Sequence, residues 1–548
     1  MSASALNLLV FREGRRRVCG EELGSRLRNQ VVRLGPAASS DELLTALLRA
    51  GELECGTADA ECSPESAQKV TDELAESLVG GKSPGQQSLL RLISDLCPPN
   101  EISISVPEGF AYYALHPLAY SDVVTTKLTN LGSRAAVLGI RSIGTTLSAM
   151  VAAGLRKQGK KASRITVRPH GHPYNRELHL SGEQQEFVAR ALAEDADFLV
   201  VDEGPGLSGS SFLSVAEALA AQHVPRQKIT LICGHEPDFG QFRASNGQRR
   251  AQNFRWVAVD ATARRPKQAM DFIGGGNWRA RQFADRTAWP EAWTSFERLK
   301  YISSPGETQA RLFKFLGLGH YGDEAFQREL RVAQAGFGPE PRSESDGFAS
   351  YPWVNARPMS AADLSQDVLR RLAEYCAFRA KAFPAREVVV DGLQQMAEHN
   401  LKQLGIKLRV TLQLERPVIA DGRMQPHEWL IAPDGQMLKT DSGSHGDDHF
   451  FPGPTDIAWD LAGAIVEWRM NQQQIGDLLA QYGRISGDDA AARIDDFIVA
   501  YNAFRAAYCL MASNALNGGD EAIRMQSASE NYRNRLLVRA PAAMATGS

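Results

Sequence analysis

The sequence predicts an α/β protein in which a parallel-sheet domain is followed by an α+β domain. Three observations predict it. Between residues 100 and 262 short apolar runs alternate with amphipathic helical segments, the pattern of βαβ units. From about residue 293 that alternation gives way to strand-like runs around one helix, then to long helices. The length of 548 residues also exceeds what one core of roughly 100–150 residues organises.

Composition sets the outer bounds. Charged residues make up 23% and the formal net charge is −3, so the whole chain exerts no general attraction on nucleic acid or an anionic membrane. The seven cysteines are odd in number and lack CxxC spacing, which argues for reduced thiols in a cytoplasmic protein rather than disulfides or structural zinc. The opening "MSASALNLLVFREGRRR" places its basic cluster after a short apolar run and reads poorly as a signal peptide. No apolar run is long enough to span a membrane.

Residues 1–99 carry two helical patterns, "SDELLTALLRA" and "SPESAQKVTDELAESLV", and read as an accessory segment without chemistry. Six strand-like runs follow: "EISISV", "AAVLGI", "ASRITV", "DFLVVDE", "KITLICG" and "RWVAVDA". Residues 263–292, basic and glycine-interrupted, read as a linker. In the second domain, 293–537, "RLKYIS", "TQARLFKFLGL" and "GFASYPWV" read as antiparallel strands around the helix "DEAFQRELRVAQAG". A β-rich stretch at 408–441 and further helices complete it, and 538–548 read as a disordered tail.

The motif richest in chemistry is "DFLVVDEGPGLSGSSFLSVAEAL", a buried strand ending in Asp202 and Glu203 and a small-residue loop opening into a helix. The carboxylates can accept hydrogen bonds from a vicinal diol. Gly206 and Gly209 let the main chain curl its N–H groups inward, Ser208, Ser210 and Ser211 add hydroxyls, and the helix start favours an anion. A diol at one end and a phosphate at the other describe a phosphorylated ribose.

These residues resemble the signature of type I phosphoribosyltransferases, with a spacer "GPGL" one residue longer and serines in place of threonines. The resemblance extends to "AAVLGIRSIGTTLSAM", similar to the family's pyrophosphate loop, with Arg141, Gly144, Thr145 and Thr146. It extends also to "RITVRPHGHPYNREL", similar to the mobile loop that closes over the reaction, with Arg168, His170, His172, Tyr174 and Arg176. It implies phosphoribosyl pyrophosphate as ligand and Mg2+ as companion ion. Asp202 and Glu203 would then lie on the ribose, Arg141, Arg168 and Arg176 would neutralise departing pyrophosphate, and the small-molecule acceptor stays open.

The second domain resembles the aminoglycoside-phosphotransferase branch of the protein-kinase-like fold. Lys314 in "QARLFKFLG" and Glu329 in "FQRELRVAQAGFGP" are similar to its lysine–glutamate pair, "FASYPWV" to its hinge, and Asp441 in "GQMLKTDSGS" to its metal-binding aspartate. The resemblance implies ATP, with Asp441 and Glu428 toward a metal ion and Asp460 in a structural role. The catalytic loop departs from it. Aligned on Pro426, "DGRMQPHEWL" puts Arg423 where the family has its base and Glu428 where it has asparagine, and an arginine cannot accept a proton at neutral pH. Asp421 is the nearest alternative, and "SGSHGDDHFFPGP", with His445, Asp447, Asp448 and His449, reads as a solvated loop. The leading expectation is a cytoplasmic phosphoribosyltransferase with an atypical kinase-like domain, compatible with a homodimer. The alternatives are a ribose-phosphate and nucleotide sensor without turnover, and a small-molecule kinase acting through the C-terminal domain.

Overall fold

The computed structural model describes residues 6–539 apart from positions 36, 82, 83, 207, 261–263, 304–308, 386–389 and 517. Leu207 of the "GPGL" spacer and nearly all of the segment read as a tail lie outside the described residues. Among those described, no helix is long and apolar enough to cross a membrane.

The chain opens with β1 (Arg15–Cys19), α1 (Gly20–Arg33), α2 (Ser40–Asp59), α3 (Glu65–Gly80), α4 (Gln86–Ser94) and β2 (Glu101–Ser105). A capping box starts α2: the Ser39 hydroxyl accepts from Glu42 N at 3.2 Å, and the Glu42 carboxylate accepts from Ser39 N at 2.8 Å. β2 pairs antiparallel with β1, so "EISISV" forms a separate ribbon and not a strand of the parallel sheet. Its pattern explains this. Ile102 and Ile104 are buried while Glu101 and Ser103 are exposed, which suits a ribbon with one wet face, whereas a central parallel strand is apolar throughout.

After α5 (Glu108–Ala111) and α6 (Pro117–Thr126) the regular alternation begins. It runs β3 (Arg134–Ile140), α7 (Ile143–Lys157), β4 (Lys161–Val167), a hairpin of β5 (His170–His172) and β6 (Asn175–Glu177), α8 (Gly182–Ala193) and β7 (Asp197–Val201). α9 (Ser210–Ala221), β8 (Ile229–Cys233), α10 (Gly247–Ala251) and β9 (Arg255–Ala258) complete it. The five parallel strands lie in the order β4-β3-β7-β8-β9. On one face Leu138, Val200 and Leu231 pack with Phe187 and Leu213. On the other, Val137, Leu199 and Ile232 share a core with Leu47, Leu53 and Leu74. The segment 1–99, expected to be accessory, thus covers one face of the sheet.

The second half starts inside the expected linker. β10 (Asp271–Phe272) and α11 (Arg279–Gln282) precede β11 (Lys300–Ile302), β12 (Arg311–Phe315), α12 (His320–Gln334), β13 (Arg342–Ser343) and β14 (Phe348–Pro352). Every pairing in the sheet β10-β11-β12-β14-β13 is antiparallel, as expected of these runs. Short strands and helices follow: β15 (Arg357–Pro358), α13 (Gln366–Ala382), α14 (Val390–Gln403), β16 (Pro417–Ile419), β17 (Trp429–Ile431) and β18 (Met437–Lys439). Last come β19 (Pro454–Asp456), α15 (Ala458–Glu467), α16 (Gln472–Ser486), α17 (Ile494–Ala515) and α18 (Gly519–Arg539). Leu8 and Val10 from the start of the chain bury in this helical core, and the Asn400 amide bonds both Leu9 N and Leu9 O at 2.8 Å. These first described residues are therefore a strap on the C-terminal half.

A buried ion cluster ties α2 and α3 to the edge strand β4. The Arg164 guanidinium, wholly buried, donates to Glu54 at 2.7 and 3.0 Å and to Asp72 at 2.8 Å. Deleting one member of a buried pair leaves an uncompensated charge, typically worth about 3–5 kcal/mol. Arg164→Met, which keeps volume and removes the cation, is expected to lower stability by roughly that amount in urea unfolding. A loss below about 1 kcal/mol would mean that this cluster does not hold the helices on the sheet.

Candidate functional site

Two places gather the predicted residues. The first lies beyond the carboxyl ends of the parallel strands, where ligands bind in such sheets. Because β4, β3 and β7 are neighbours, Arg168, Arg141 and Asp202 emerge side by side. Glu203 backs onto α5, and the Asp202 carbonyl accepts from the Tyr120 hydroxyl at 2.8 Å. Burial pushes Asp202 up to about 7, against the pull of Arg168 and Arg176, and burial with the adjacent Asp202 pushes Glu203 up to about 8.

The loop into α9 behaves as its glycines require, with Gly206 at φ 56° and Gly209 at φ 67°. Its hydroxyls face inward on one another. Ser208 and Ser210 lie 2.9 Å apart, and Ser210 donates to the Pro173 carbonyl at 2.7 Å, while Ser211 is half-buried. That last bond docks the expected lid. Within residues 168–178 lies the β5–β6 hairpin, on α9; Gly171 takes φ 95° and Pro173–Tyr174 make the turn. Arg176 sits on this hairpin, half-buried, bonded to the Pro169 carbonyl at 3.4 Å.

The pyrophosphate-like loop is engaged from within. Arg141 pairs with Asp59 at 3.1 Å, and Arg168 donates to the same carboxylate at 3.0 Å. Gly144 serves packing, since a Cβ there would stand 2.5 Å from the Val201 carbonyl oxygen; Thr145 is buried, and Thr146 packs on Gly51.

The second place is a cavity of about 200 Å3 in the C-terminal half. Lys314 on β12 meets Glu329 on α12 at 3.5 Å, contacts Asp441 closely, and donates to Ser444 at 2.9 Å. Burial drives the Lys314 ammonium down to about 8, against the pull of Glu329. Lys300 on β11 reaches the other Asp441 oxygen at 3.1 Å. Glu428, Asp441 and His445 bring one donor atom each within 4.8 Å of one another. The two carboxylates form a hard-oxygen pair of the kind that takes Mg2+ beside phosphate oxygens. A strand lysine, a helix glutamate and a loop aspartate thus meet on one wall of the cavity.

Behind the cavity the catalytic-type loop is rigidly held. Asp460 accepts from Asp421 N at 2.8 Å and Gly422 N at 2.9 Å, the structural role expected of it. Asp421 is fully buried, bonded by the Tyr375 hydroxyl and flanked by Lys439 at 3.4 Å and Arg379 at 3.7 Å. Arg423 instead faces the cavity, its guanidinium 5.7 Å from the Tyr508 ring centre. Asp421 is therefore unavailable to a substrate.

No protein-family model matches the sequence, and no curated protein matches it. Solved structures with some likeness include choline kinase LicA from Streptococcus pneumoniae, at 14% identity and TM-score 0.30, covering 43% of this chain and 89% of that one. A choline/ethanolamine kinase family protein from Mesorhizobium loti has 16% identity and TM-score 0.30, covering 47% and 93%. Spectinomycin phosphotransferase APH(9)-Ia, solved with ADP and spectinomycin, has 11% identity and TM-score 0.28, covering 43% and 85%.

Several site residues escaped the sequence reading. Asp59 lies at the end of α2, in a segment read as free of chemistry, and only the acidic Glu52 and Glu54 on its otherwise apolar face hinted at buried cations. Lys300 and Arg298 read as ordinary strand residues. His445, Asp448 and His449 read as solvated, whereas all three line the cavity.

The raised Asp202 and Glu203 make a signed prediction. Their folded values of about 7 and 8 exceed the ordinary 3.8 and 4.5, so the folded state holds more protons between those limits. Their contribution is fully present below the ordinary carboxylate range and is lost as pH rises toward 8. Asp202→Asn with Glu203→Gln is expected to flatten the fall in Tm between acidic and mildly alkaline pH. Parallel Tm–pH curves for parent and variant would contradict this.

Proposed function

We propose that the C-terminal half is a nucleotide-dependent phosphotransferase acting on a small molecule. Lys314, Glu329 and Asp441 would hold the triphosphate, with Asp441 and Glu428 holding Mg2+. The observation that carries this reading is Lys314 itself, engaged at once by Glu329 of α12 and by Asp441 on the wall of a cavity of about 200 Å3. Six carboxylates and four cations, Arg298, Lys300, Lys314 and Arg423, line the cavity, with Glu291 and Glu428 also met from behind by Arg505 and Lys439.

Arg423 fits such a reaction in a role other than base. The phosphoryl transition state is loose and spreads charge over its oxygens, so a guanidinium facing the cavity can stabilise it as an arginine supplied in cis. ATP with Mg2+ should bind the parent, and Lys314→Ala should weaken it by about tenfold or more, roughly 1.4 kcal/mol, by calorimetry. Equal affinity in parent and variant would reject Lys314 as the phosphate contact.

A second reading concerns the parallel sheet, for which Asp202, Arg141 and Arg168 at neighbouring strand ends are the supporting observation. It holds a ribose phosphate, with phosphoribosyl pyrophosphate as donor to a small-molecule acceptor. The anion would have to draw Arg141 and Arg168 away from Asp59. Phosphoribosyl pyrophosphate with Mg2+ at about 100 times its Kd should stabilise the fold by roughly 2.7 kcal/mol. No rise in Tm at millimolar ligand would remove this reading and leave the first untouched.

A further inference from the structure

We propose that Asp448 is the proton acceptor of the phosphotransfer reaction, replacing the base that the loop at Arg423 lacks. The inference rests on reading the cavity as a phosphotransferase site and assigns a residue that reading leaves open.

The six carboxylates on the cavity wall are Glu291, Glu297, Glu329, Glu428, Asp441 and Asp448. Five are committed elsewhere. Glu291 pairs with Arg505 at 2.9 Å. Glu297 accepts from Gly276 N at 2.5 Å and from the Trp278 indole at 2.7 Å, with Lys300 at 3.3 Å. Glu329 and Asp441 hold Lys314, and Glu428 accepts from Thr440 at 3.3 Å with Lys439 at 3.9 Å. Asp448 is the one member of the six with no ion pair to a lysine or arginine among the described residues.

Its position is nevertheless fixed. One carboxylate oxygen accepts from Phe450 N at 2.9 Å, and the other lies 3.7 Å from His445 Nδ1. Its main-chain carbonyl accepts from Arg12 Nε of the N-terminal strap at 2.6 Å. The other ring nitrogen of His445 lies 3.2 Å from Asp441, so Asp448 stands one imidazole away from the carboxylate that would hold the metal ion. Asp448 therefore lines the same cavity as the residues that would hold the triphosphate and the metal ion.

The step balances without a further reactant. The acceptor's hydroxyl oxygen bonds to the γ-phosphorus while the bond from that phosphorus to the β,γ-bridging oxygen breaks. The bridging oxygen leaves with the electron pair as the nucleoside diphosphate. The hydroxyl proton passes to Asp448 and then to solvent, late in a loose transition state where a carboxylate suffices.

Full-length protein with Mg2+ and ATP, with water as acceptor, provides the test, reading phosphate release beside ATP affinity. Asp448→Asn is expected to lower release by about 100-fold or more with ATP affinity unchanged. Added formate is expected to restore part of the activity of Asp448→Ala, a rescue that a merely structural aspartate would not show. Phosphate release at the parent rate by Asp448→Asn overturns the proposal. So does a parent that binds ATP and releases no phosphate, or, if the asparagine variant does not fold, an alanine variant unresponsive to formate. A parent that does not bind ATP at all overturns the phosphotransferase reading itself, which is a separate result.

Discussion

Lys314 stands on a central strand with its side chain almost wholly out of water, where an ammonium is tolerable only if carboxylates meet it. Glu329 meets it from α12 and Asp441 from the segment after β18, so one charge fixes a strand, a helix and a distant loop relative to one another. The rest follows from that junction. Asp441 then presents its second oxygen to Lys300 and His445, and the Gly443 amide beside it bonds Glu329 at 3.2 Å. Burial still outweighs the pairing, leaving the ammonium at about 8.

The parallel-sheet site shows the inverse case. Asp202 lies near Arg168 and Arg176 and Glu203 beside Asp202 and Glu108, and neither acid forms an ion pair among the described residues, while Arg141 and Arg168 are turned onto Asp59. Negative charge from α2 satisfies the arginines, and burial raises both members of the acidic pair. In one site the buried cation is met by carboxylates, while in the other the buried carboxylates are not met by cations.

Much of this was legible in the sequence, for identifiable reasons. Five of the six strand-like runs between 100 and 262 enter the parallel sheet, the three central ones because apolar runs buried on both faces have a stable place there. Lys314, Glu329 and Asp441 converge as their resemblance implied, since strand, helix and post-strand loop carry them in a fixed order. Periodicity could not reveal pairings between distant segments. The partner of Arg141 is 82 positions away, at Asp59, in helices whose patterns look purely structural. The metal-like run after Asp441 was equally opaque, because its burial is imposed by the strap at Leu8–Arg12, which forms a bridge at Phe11 with Phe450.

One short segment stands between the two sites, and its sequence answers to both. A Cβ at Gly109 would come within 2.9 Å of the Glu203 carboxylate, while the next residues face the other way. The Phe110 carbonyl accepts from Leu318 N at 2.9 Å, the Ala111 carbonyl accepts from Arg298 at 3.1 Å, and Tyr112 lines the cavity. The Tyr113 hydroxyl lies 3.5 Å from His449 and is held up, after burial, by Glu108, Glu203 and Asp448, negative groups drawn from both sites. Position 109 therefore carries glycine for closeness and not for an unusual φ. A side chain there would push α5 away from Glu203 and toward Arg298, and close-packed interiors transmit such a displacement instead of absorbing it.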